Sequence, residues 1–138
     1  MNLQGKDGFT ALICAAMEGE PVITQFLIKN QANLEARCTC HGATSLSLAL
    51  RRGRNETVRT LIEAGANIET KDKYGWTPLT WGAAFGRYES VKLLLEKGAK
   101  ANHRDSSGKT ALDWAREQGH TEVVALLQNR TQRDDPDE

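Results

Sequence analysis

Apolar positions in residues 71–102 fall into two short stripes at helical spacing, separated and closed by glycine. Thr77 is placed to cap the first helix, and Pro78 occupies its first turn, where a missing N–H costs nothing. Gly86 ends that helix, and Gly98 ends the second in a position that favours a left-handed backbone. The stripe of the second helix comprises Val91, Leu94 and Leu95. The pattern predicts a helix–turn–helix unit too short to bury its own apolar side.

The same pattern returns along the whole chain at a nearly constant step. Threonines that precede each first helix recur at spacings of 34, 33 and 33 residues, and three further landmarks keep that register. The four series are Thr10, Thr44, Thr77 and Thr110; Leu12, Leu46, Leu79 and Leu112; Gly19, Gly53, Gly86 and Gly119; and Leu27, Leu61, Leu94 and Leu127. A period near 33 residues is typical of stacked helix pairs.

The repeated segments DGFTAL, HGATSL, YGWTPL and SGKTAL, with the loops GANIE and GAKAN, resemble the ankyrin repeat family. The resemblance implies an all-α ankyrin-repeat solenoid of four helix–turn–helix repeats with β-hairpin fingers. It places the repeats at about 4–36, 37–70, 71–103 and 104–130, in a single domain spanning 1–130. It further implies a concave surface lined by fingertips and first helices. Residues 131–138, charged and without an apolar anchor, are expected to form a disordered acidic tail.

Three features depart from the family pattern. The position that the family often fills with a histidine linking neighbouring repeats holds Ile13, Ser47, Thr80 and Asp113, which puts that polar link in doubt. In the first loop Asn30 and Gln31 replace the usual glycine, and Asn30 is the better candidate for a left-handed backbone.

The third departure is an apolar first repeat, with Val22, Ile23 and Phe26 where an end repeat needs a polar outer side. Two explanations stay open. The chain is a segment of a longer array, or its end carries an apolar flank that a partner or a second copy covers.

Composition restricts the classes of function. The 138 residues carry zero formal net charge, which argues against nucleic acid as a partner, and no apolar run is long enough to span a membrane. Three cysteines and no signal peptide favour a reducing compartment, cytoplasmic or nuclear. We find no catalytic nucleophile in a recognisable context and no phosphate-binding loop, so we expect no enzyme and no cofactor.

Cys38, Cys40 and His41 form the one cluster with the character of metal ligands. A closed zinc site needs four ligands, and no fourth lies at a workable spacing. We therefore expect no metal and interpret the cluster as an exposed finger with incidental thiols. His120 follows Gly119 like the Gly-His turn of the family, which implies a structural role.

Repeat three carries a concentration of aromatic residues. By resemblance to the family, Tyr74 and Trp76 belong to a fingertip and Phe85 to the exposed end of a first helix. Large aromatic side chains on such a rim are typical interface anchors. Trp81 and Trp114 take the position of a core leucine, so we interpret them as packing residues.

We therefore predict non-catalytic protein binding through the concave surface, with aromatic anchors in repeat three and arginines in repeat two. The expected partner presents an apolar side chain beside acidic groups. The predicted binding residues are Phe9, Met17, Glu18, His41, Arg51, Arg52, Tyr74, Trp76, Phe85, Lys109 and Glu117. One alternative is a small anionic ligand such as a nucleotide on the same surface. Another is a structural role, in which the first repeat docks on further repeats or on a second copy.

Overall fold

The computed structural model describes residues 10–39 and 41–134, with side chains described up to Asn129. In that part of the chain the regular structure is entirely helical, as the sequence predicts. The helices are α1 (Ala11–Glu18), α2 (Pro21–Lys29), α3 (Ser45–Arg52), α4 (Asn55–Glu63), α5 (Pro78–Ala84), α6 (Tyr88–Glu96), α7 (Ala111–Glu117) and α8 (Thr121–Asp134). They form four contacting pairs of consecutive helices, one in each predicted repeat.

The pairs stack so that the first helices form one layer and the second helices another. Helices α1, α3, α5 and α7 contact one another in sequence, and α2, α4, α6 and α8 do the same. The leucines that mark the register fill the space between the layers, and they are buried except for Leu112, which is partly buried in the last pair. Each pair thus contributes apolar side chains to a core that only its neighbours complete.

A threonine precedes each first helix, and in repeats one, three and four its side-chain oxygen caps the helix. Thr77 accepts a hydrogen bond from the backbone N–H of Thr80, and Thr110 accepts one from that of Asp113 at 3.2 Å. In return, the Thr80 and Asp113 side chains accept hydrogen bonds from the backbone N–H groups of Thr77 and Thr110. Two of the residues that replace the expected histidine therefore complete capping boxes, each contributing about 1 kcal/mol to helix stability.

Other side chains make the polar links between neighbouring repeats. In repeats two, three and four, the residue after the turn glycine reaches back to a carbonyl at the end of the preceding repeat's first helix. Arg54 Nε donates to Met17 O at 3.0 Å, Arg87 Nε donates to Leu50 O at 3.0 Å, and His120 Nε2 bonds Ala84 O at 3.0 Å. These bonds supply the inter-repeat connection that the missing histidines left in doubt, and they give His120 the structural role predicted for it.

Two glycines of repeat three allow close contacts, one with the next repeat and one between the two helices of the repeat. Gly86 has a φ of 72°, and a Cβ atom built on it would lie 2.5 Å from Nδ1 of His120. Gly82 lies inside α5, and a Cβ atom there would lie 2.9 Å from Cγ2 of Val91 on α6. The absence of a side chain at Gly82 thus lets the two helices of repeat three pack tightly.

The fingers are tight turns joined to one another by single backbone hydrogen bonds. Lys73 N donates to His41 O at 3.1 Å, and Ser106 N donates to Tyr74 O at 3.0 Å. An isolated antiparallel bridge pairs Arg37 with Thr44 in the second finger. The fingers keep the hairpin-like shape implied by the family without extended strands.

Two expectations about the chain's loops and end need correction. Gln31, not Asn30, adopts the left-handed backbone, with a φ of 71° against −97° for Asn30. Gln31 is the residue in register with Gly65 and Gly98, whereas the Asn30 side chain donates to Phe26 O at 2.8 Å and caps α2. Helix α8 continues to Asp134, so residues 131–134 are helical and not part of an irregular tail. Residues 135–138 lie outside the described part of the chain.

Candidate functional site

An open groove of about 570 Å³ lies where α5 meets the fingers of repeats three and four. Five aromatic side chains form its floor and walls, and we call it the aromatic groove: Tyr74, Trp76, Trp81, Phe85 and Trp114. Three cationic side chains, one imidazole and residues of the fourth finger complete its lining: Arg51, Lys73, Lys109, His41, Asp105, Ser106 and Ser107. The groove therefore combines an apolar floor with a charged rim.

The rings of the aromatic groove meet at steep angles around Trp76. Its ring centroid lies 4.8 Å from that of Trp81 at 68°, and 5.0 Å from that of Trp114 at 56°. Phe85 continues the wall by stacking on Trp81 at 5.9 Å and 19°. Tyr74 and Phe85 remain 44% and 38% exposed, although each is a large apolar side chain. Mutual packing therefore leaves aromatic surface open to solvent.

Two carboxylates hold the tryptophans in place. Asp72 Oδ2 accepts a hydrogen bond from Trp81 Nε1 at 2.8 Å, and Asp105 Oδ2 accepts one from Trp114 Nε1 at 2.7 Å. Both bonds span nine residues, so repeats three and four use the same arrangement. The aspartates also accept backbone N–H groups of their own fingers, at Tyr74 and Trp76 for Asp72. The orientation of each indole ring is thus fixed by a finger.

Asp105 is the more strongly held of the two aspartates. Its Oδ1 accepts from Ser107 N and Ser107 Oγ, at 2.9 and 2.6 Å, and from Lys109 N at 3.0 Å. Burial raises the pKa of Asp105, but the hydrogen bonds from Ser107, Trp114 and Lys109 outweigh burial and lower it to about 2. The carboxylate beside Trp114 is therefore ionised at any physiological pH.

Cations lie against the outer faces of three rings. Lys109 Nζ is 4.5 Å from the centroid of Trp114 and also forms a 2.6 Å salt bridge with Glu117. Lys73 Nζ is 5.5 Å from the Tyr74 centroid, and the Arg87 guanidinium carbon is 5.9 Å from that of Phe85. These distances are those of cation–π contacts, so the ring faces at the rim are accessible to positive charge.

His41 borders the groove as a neutral ring. Its centroid lies 5.9 Å from that of Trp81 and 6.0 Å from that of Tyr74. Burial, followed by the positive charges of Arg51 and Lys73, lowers the pKa of His41, while Asp72 opposes the shift. Its Nδ1 has no hydrogen-bond partner among the described residues. His41 therefore adds an aromatic ring, and no positive charge, at neutral pH.

Six of the predicted binding residues lie together in this groove: His41, Arg51, Tyr74, Trp76, Phe85 and Lys109. Glu117 joins them through its salt bridge with Lys109. Met17, Glu18 and Arg52 do not line the groove. Met17 is partly buried against the core, and Glu18 and Arg52 are exposed at the ends of α1 and α3. Phe9 lies outside the described residues.

The sequence interpretation missed several groove residues. Trp81 is only 4% exposed and does pack in the core, as predicted, but it and the partly buried Trp114 also form groove walls. Lys73, Asp105, Ser106 and Ser107 were missed as well. The signal that was available is the repeated nine-residue spacing from aspartate to tryptophan, which pairs Asp72 with Trp81 and Asp105 with Trp114.

A second apolar region is exposed on α2, and we call Val22, Ile23 and Phe26 the α2 face. These side chains are 76%, 50% and 56% exposed. In the other three repeats the register of Val22 holds the exposed glutamates Glu56, Glu89 and Glu122, and that of Ile23 holds the buried Thr57, Ser90 and Val123. Ser90 Oγ donates to Asn55 Oδ1 of the preceding repeat at 2.8 Å, so this register faces the preceding pair.

The finger with potential metal ligands is only partly described. Cys38 is buried, His41 N lies 3.4 Å from its sulfur, and Cys40 is outside the described residues. Across residues 10–39 and 41–134, no three His, Cys, Asp or Glu side chains are grouped as a metal ion would require. Over the same part of the chain, no helix combines the length and apolar character needed to cross a membrane.

Comparison with known proteins agrees with this architecture. A family model described as ankyrin repeats (3 copies) matches residues 1–72, 38–105 and 65–137. The chain therefore belongs to the ankyrin repeat family, as the resemblance implied. Members of this family are generally protein–protein interaction modules and are typically non-enzymatic scaffolds.

Several curated proteins contain similar segments. The chain is 36% identical over 77 residues to ankyrin repeat and SAM domain-containing protein 6 of Mus musculus, covering 56% of this chain and 9% of that protein. It is 32% identical over 92 residues to neurogenic locus notch homolog protein 1 of Homo sapiens, covering 57% and 4%. It is 37% identical over 75 residues to protein PhlB of Serratia liquefaciens, covering 54% and 33%. The chain thus spans a small part of the relatives it matches.

Proposed function

We propose that the chain binds another protein through the aromatic groove, with Trp76, Tyr74 and Phe85 as anchors and Arg51 as an orienting charge. One observation carries the proposal: Tyr74 and Phe85 keep 44% and 38% of their surface exposed within a groove in which hydrogen bonds hold Trp81 and Trp114. Exposed aromatic surface on a rigid support binds with little loss of side-chain freedom.

The rim specifies the chemistry of the partner. Arg51 and Lys73 have no carboxylate partner among the described salt bridges, whereas Lys109 is paired with Glu117. An apolar side chain of the partner would occupy the floor, and acidic groups beside it would meet Arg51 and Lys73. Such rim charges contribute more to orientation and association rate than to affinity.

Affinity capture with the wild type and with Trp76→Ala/Phe85→Ala tests the proposal. Proteins retained by the wild type and lost with the double variant are the expected partners, and titration calorimetry with the purified partner then measures the loss directly. Phe26→Ala is the matched control, because it removes an exposed phenylalanine on α2 that does not line the groove. A partner that binds the double variant as well as it binds the wild type would contradict the proposal.

A second candidate is a small anionic ligand such as a nucleotide, favoured by the cations beside stacked rings. Three carboxylates oppose it, since Asp72, Asp105 and Glu117 all contact groove residues. A thermal-shift screen with nucleotides separates the two candidates, because a ligand specific for the folded state raises the melting temperature. A nucleotide-dependent shift that Trp76→Ala abolishes would favour the second candidate.

A further inference from the structure

The three tryptophans of the aromatic groove are oriented at steep angles to one another, which apolar binding alone does not require. The Trp76 centroid lies 4.8 Å from that of Trp81 at 68° and 5.0 Å from that of Trp114 at 56°, so rings of different orientation line one groove. Ring faces carry the negative part of the aromatic quadrupole and attract cations. The geometry offers several such faces to one bound group.

The hydrogen bonds of the indoles strengthen this property. Trp81 and Trp114 each donate Nε1–H to an aspartate side chain, at 2.8 and 2.7 Å. An anionic acceptor pushes electron density into the indole, which makes its face more attractive to positive charge. Lys109 Nζ, at 4.5 Å from the Trp114 centroid, already makes such a contact within the chain.

The hydrogen bonding of the groove distinguishes between kinds of cation. The oxygens of Asp72 and Asp105 already accept hydrogen bonds from backbone N–H groups, a serine hydroxyl and the indoles. An unmodified lysine ammonium would lose its water without gaining equivalent acceptors, which is costly. A methylated ammonium has fewer N–H groups to satisfy, or none, and presents apolar methyl groups to the rings.

We propose that the aromatic groove takes a methylated lysine side chain of the protein partner. The inference rests on the proposed protein-binding function and names the group that fills the floor of the groove. Acidic groups elsewhere on the partner still meet Arg51 and Lys73 at the rim.

The test uses three small probes: N-acetyl-trimethyllysine amide, the neutral isostere with a tert-butyl group in place of the trimethylammonium, and N-acetyl-lysine amide. All three tryptophans of the chain line the groove, so intrinsic tryptophan fluorescence reports binding there directly. We expect the trimethylated probe to bind at least about tenfold more tightly than either other probe. Equal or tighter binding of the neutral isostere, or no binding of the trimethylated probe, would overturn the inference.

Two variants of the groove sharpen the test. Trp114→Leu installs the residue that repeat two has at this register, Leu48, and removes one ring face while keeping an apolar side chain. It should reduce the preference for the charged probe over its isostere. Lys109→Met removes a competing cation and should raise the affinity of the charged probe about fivefold. An unchanged preference in the first variant, or a weakened affinity in the second, counts against the inference.

The outcomes separate this inference from the proposed function. The comparison of probes uses the wild-type chain, so it decides the matter even if a variant fails to fold. Suppose that Trp76→Ala weakens binding of the partner, but the groove shows no preference for the trimethylated probe. That result would overturn the inference and leave the proposed protein binding intact. A partner indifferent to Trp76 would overturn the proposed function whatever the probes show.

Discussion

The aromatic groove and the α2 face both expose large apolar side chains, but for different physical reasons. In the groove, Trp81 and Trp114 are fixed by hydrogen bonds to Asp72 and Asp105. The exposed ring of Phe85 stacks on Trp81, and the exposed ring of Tyr74 lies beside His41. On the α2 face, Ile23 is 50% exposed at a register position that is 1% exposed at Thr57 and 3% at Ser90. The exposed rings of the groove are held by contacts within the chain. The α2 face is a surface of the kind on which helix pairs stack, and no described helix pair covers it.

The difference shows how exposed apolar residues in a solenoid are to be interpreted. Exposure alone does not identify a binding site, because a pair at one side of a stack exposes residues that internal pairs bury. Exposed rings beside hydrogen-bonded tryptophans are better evidence of a binding site, because they stay exposed in repeat three, which has a neighbouring repeat on both sides. The groove therefore carries the functional proposal, and the α2 face carries a prediction about association.

The largest expected effect is on partner binding by Trp76→Ala. Trp76 lies between two other tryptophans at the centre of the groove. Its removal should therefore weaken binding of the captured partner by about 2 kcal/mol or more, which is about thirtyfold in Kd. Calorimetry with the purified partner measures it. Phe26→Ala, on the α2 face, should leave the affinity unchanged, and the reverse pattern would exchange the roles of the two regions.

The next effect concerns the tethers of the groove. Asp105→Asn replaces a carboxylate that accepts four hydrogen bonds, and should lower the free energy of unfolding by about 2 kcal/mol. Asp72→Asn removes the equivalent carboxylate, which accepts three bonds and is less buried, so its loss should be smaller. Urea unfolding of both variants gives the order, and a greater loss for Asp72→Asn would contradict the structure.

Acidification should weaken the same tether in the wild type. Because the pKa of Asp105 falls from 3.8 to about 2 on folding, its contribution to stability is complete above pH 3.8. The contribution is lost as the pH falls towards 2, when the folded-state carboxylate takes up its proton. Urea midpoints between pH 5 and pH 2 should fall more steeply for the wild type than for Asp105→Asn, and parallel curves would exclude this account.

The smallest effect on stability is expected at the α2 face. Val22→Glu/Ile23→Thr installs residues that repeat two has in the same register, Glu56 and Thr57. Because both positions are exposed, the free energy of unfolding should change by no more than about 0.5 kcal/mol. Self-association should decrease, as measured by sedimentation velocity over a range of concentrations. A wild type that is monomeric at every concentration would remove self-association as the role of this face.

Most of the fold was predictable from the sequence, because each landmark serves a local physical need that recurs at one period. Threonine caps, turn glycines and core leucines define helix starts, ends and inner sides without knowledge of distant contacts. Gln31 was missed because position in the register outweighed the intrinsic preference of asparagine for the left-handed backbone. The inter-repeat bonds of Arg54 and Arg87 were missed because their acceptors are backbone carbonyl groups. Every residue has such a group, so the pattern of side chains does not indicate which one accepts.

The candidate site was predictable only in part. Tyr74, Trp76 and Phe85 stand out in the sequence because aromatic residues on a rim are costly unless they bind or pack. Trp81 and Trp114 were assigned to the core because their register matches Leu48, yet an indole is wide enough to pack against the core and still line the groove. Met17 and Arg52 were included by helix position, and three-dimensional placement separates them from the groove.

Backbone amide hydrogen exchange of the chain with and without its captured partner compares the two regions most directly. If the partner occupies the aromatic groove, protection should increase in the fingers at residues 72–76 and 105–109, while residues 21–29 of α2 exchange as before. Protection confined to α2, with unchanged exchange in those fingers, would contradict the assignment of the groove as the binding surface.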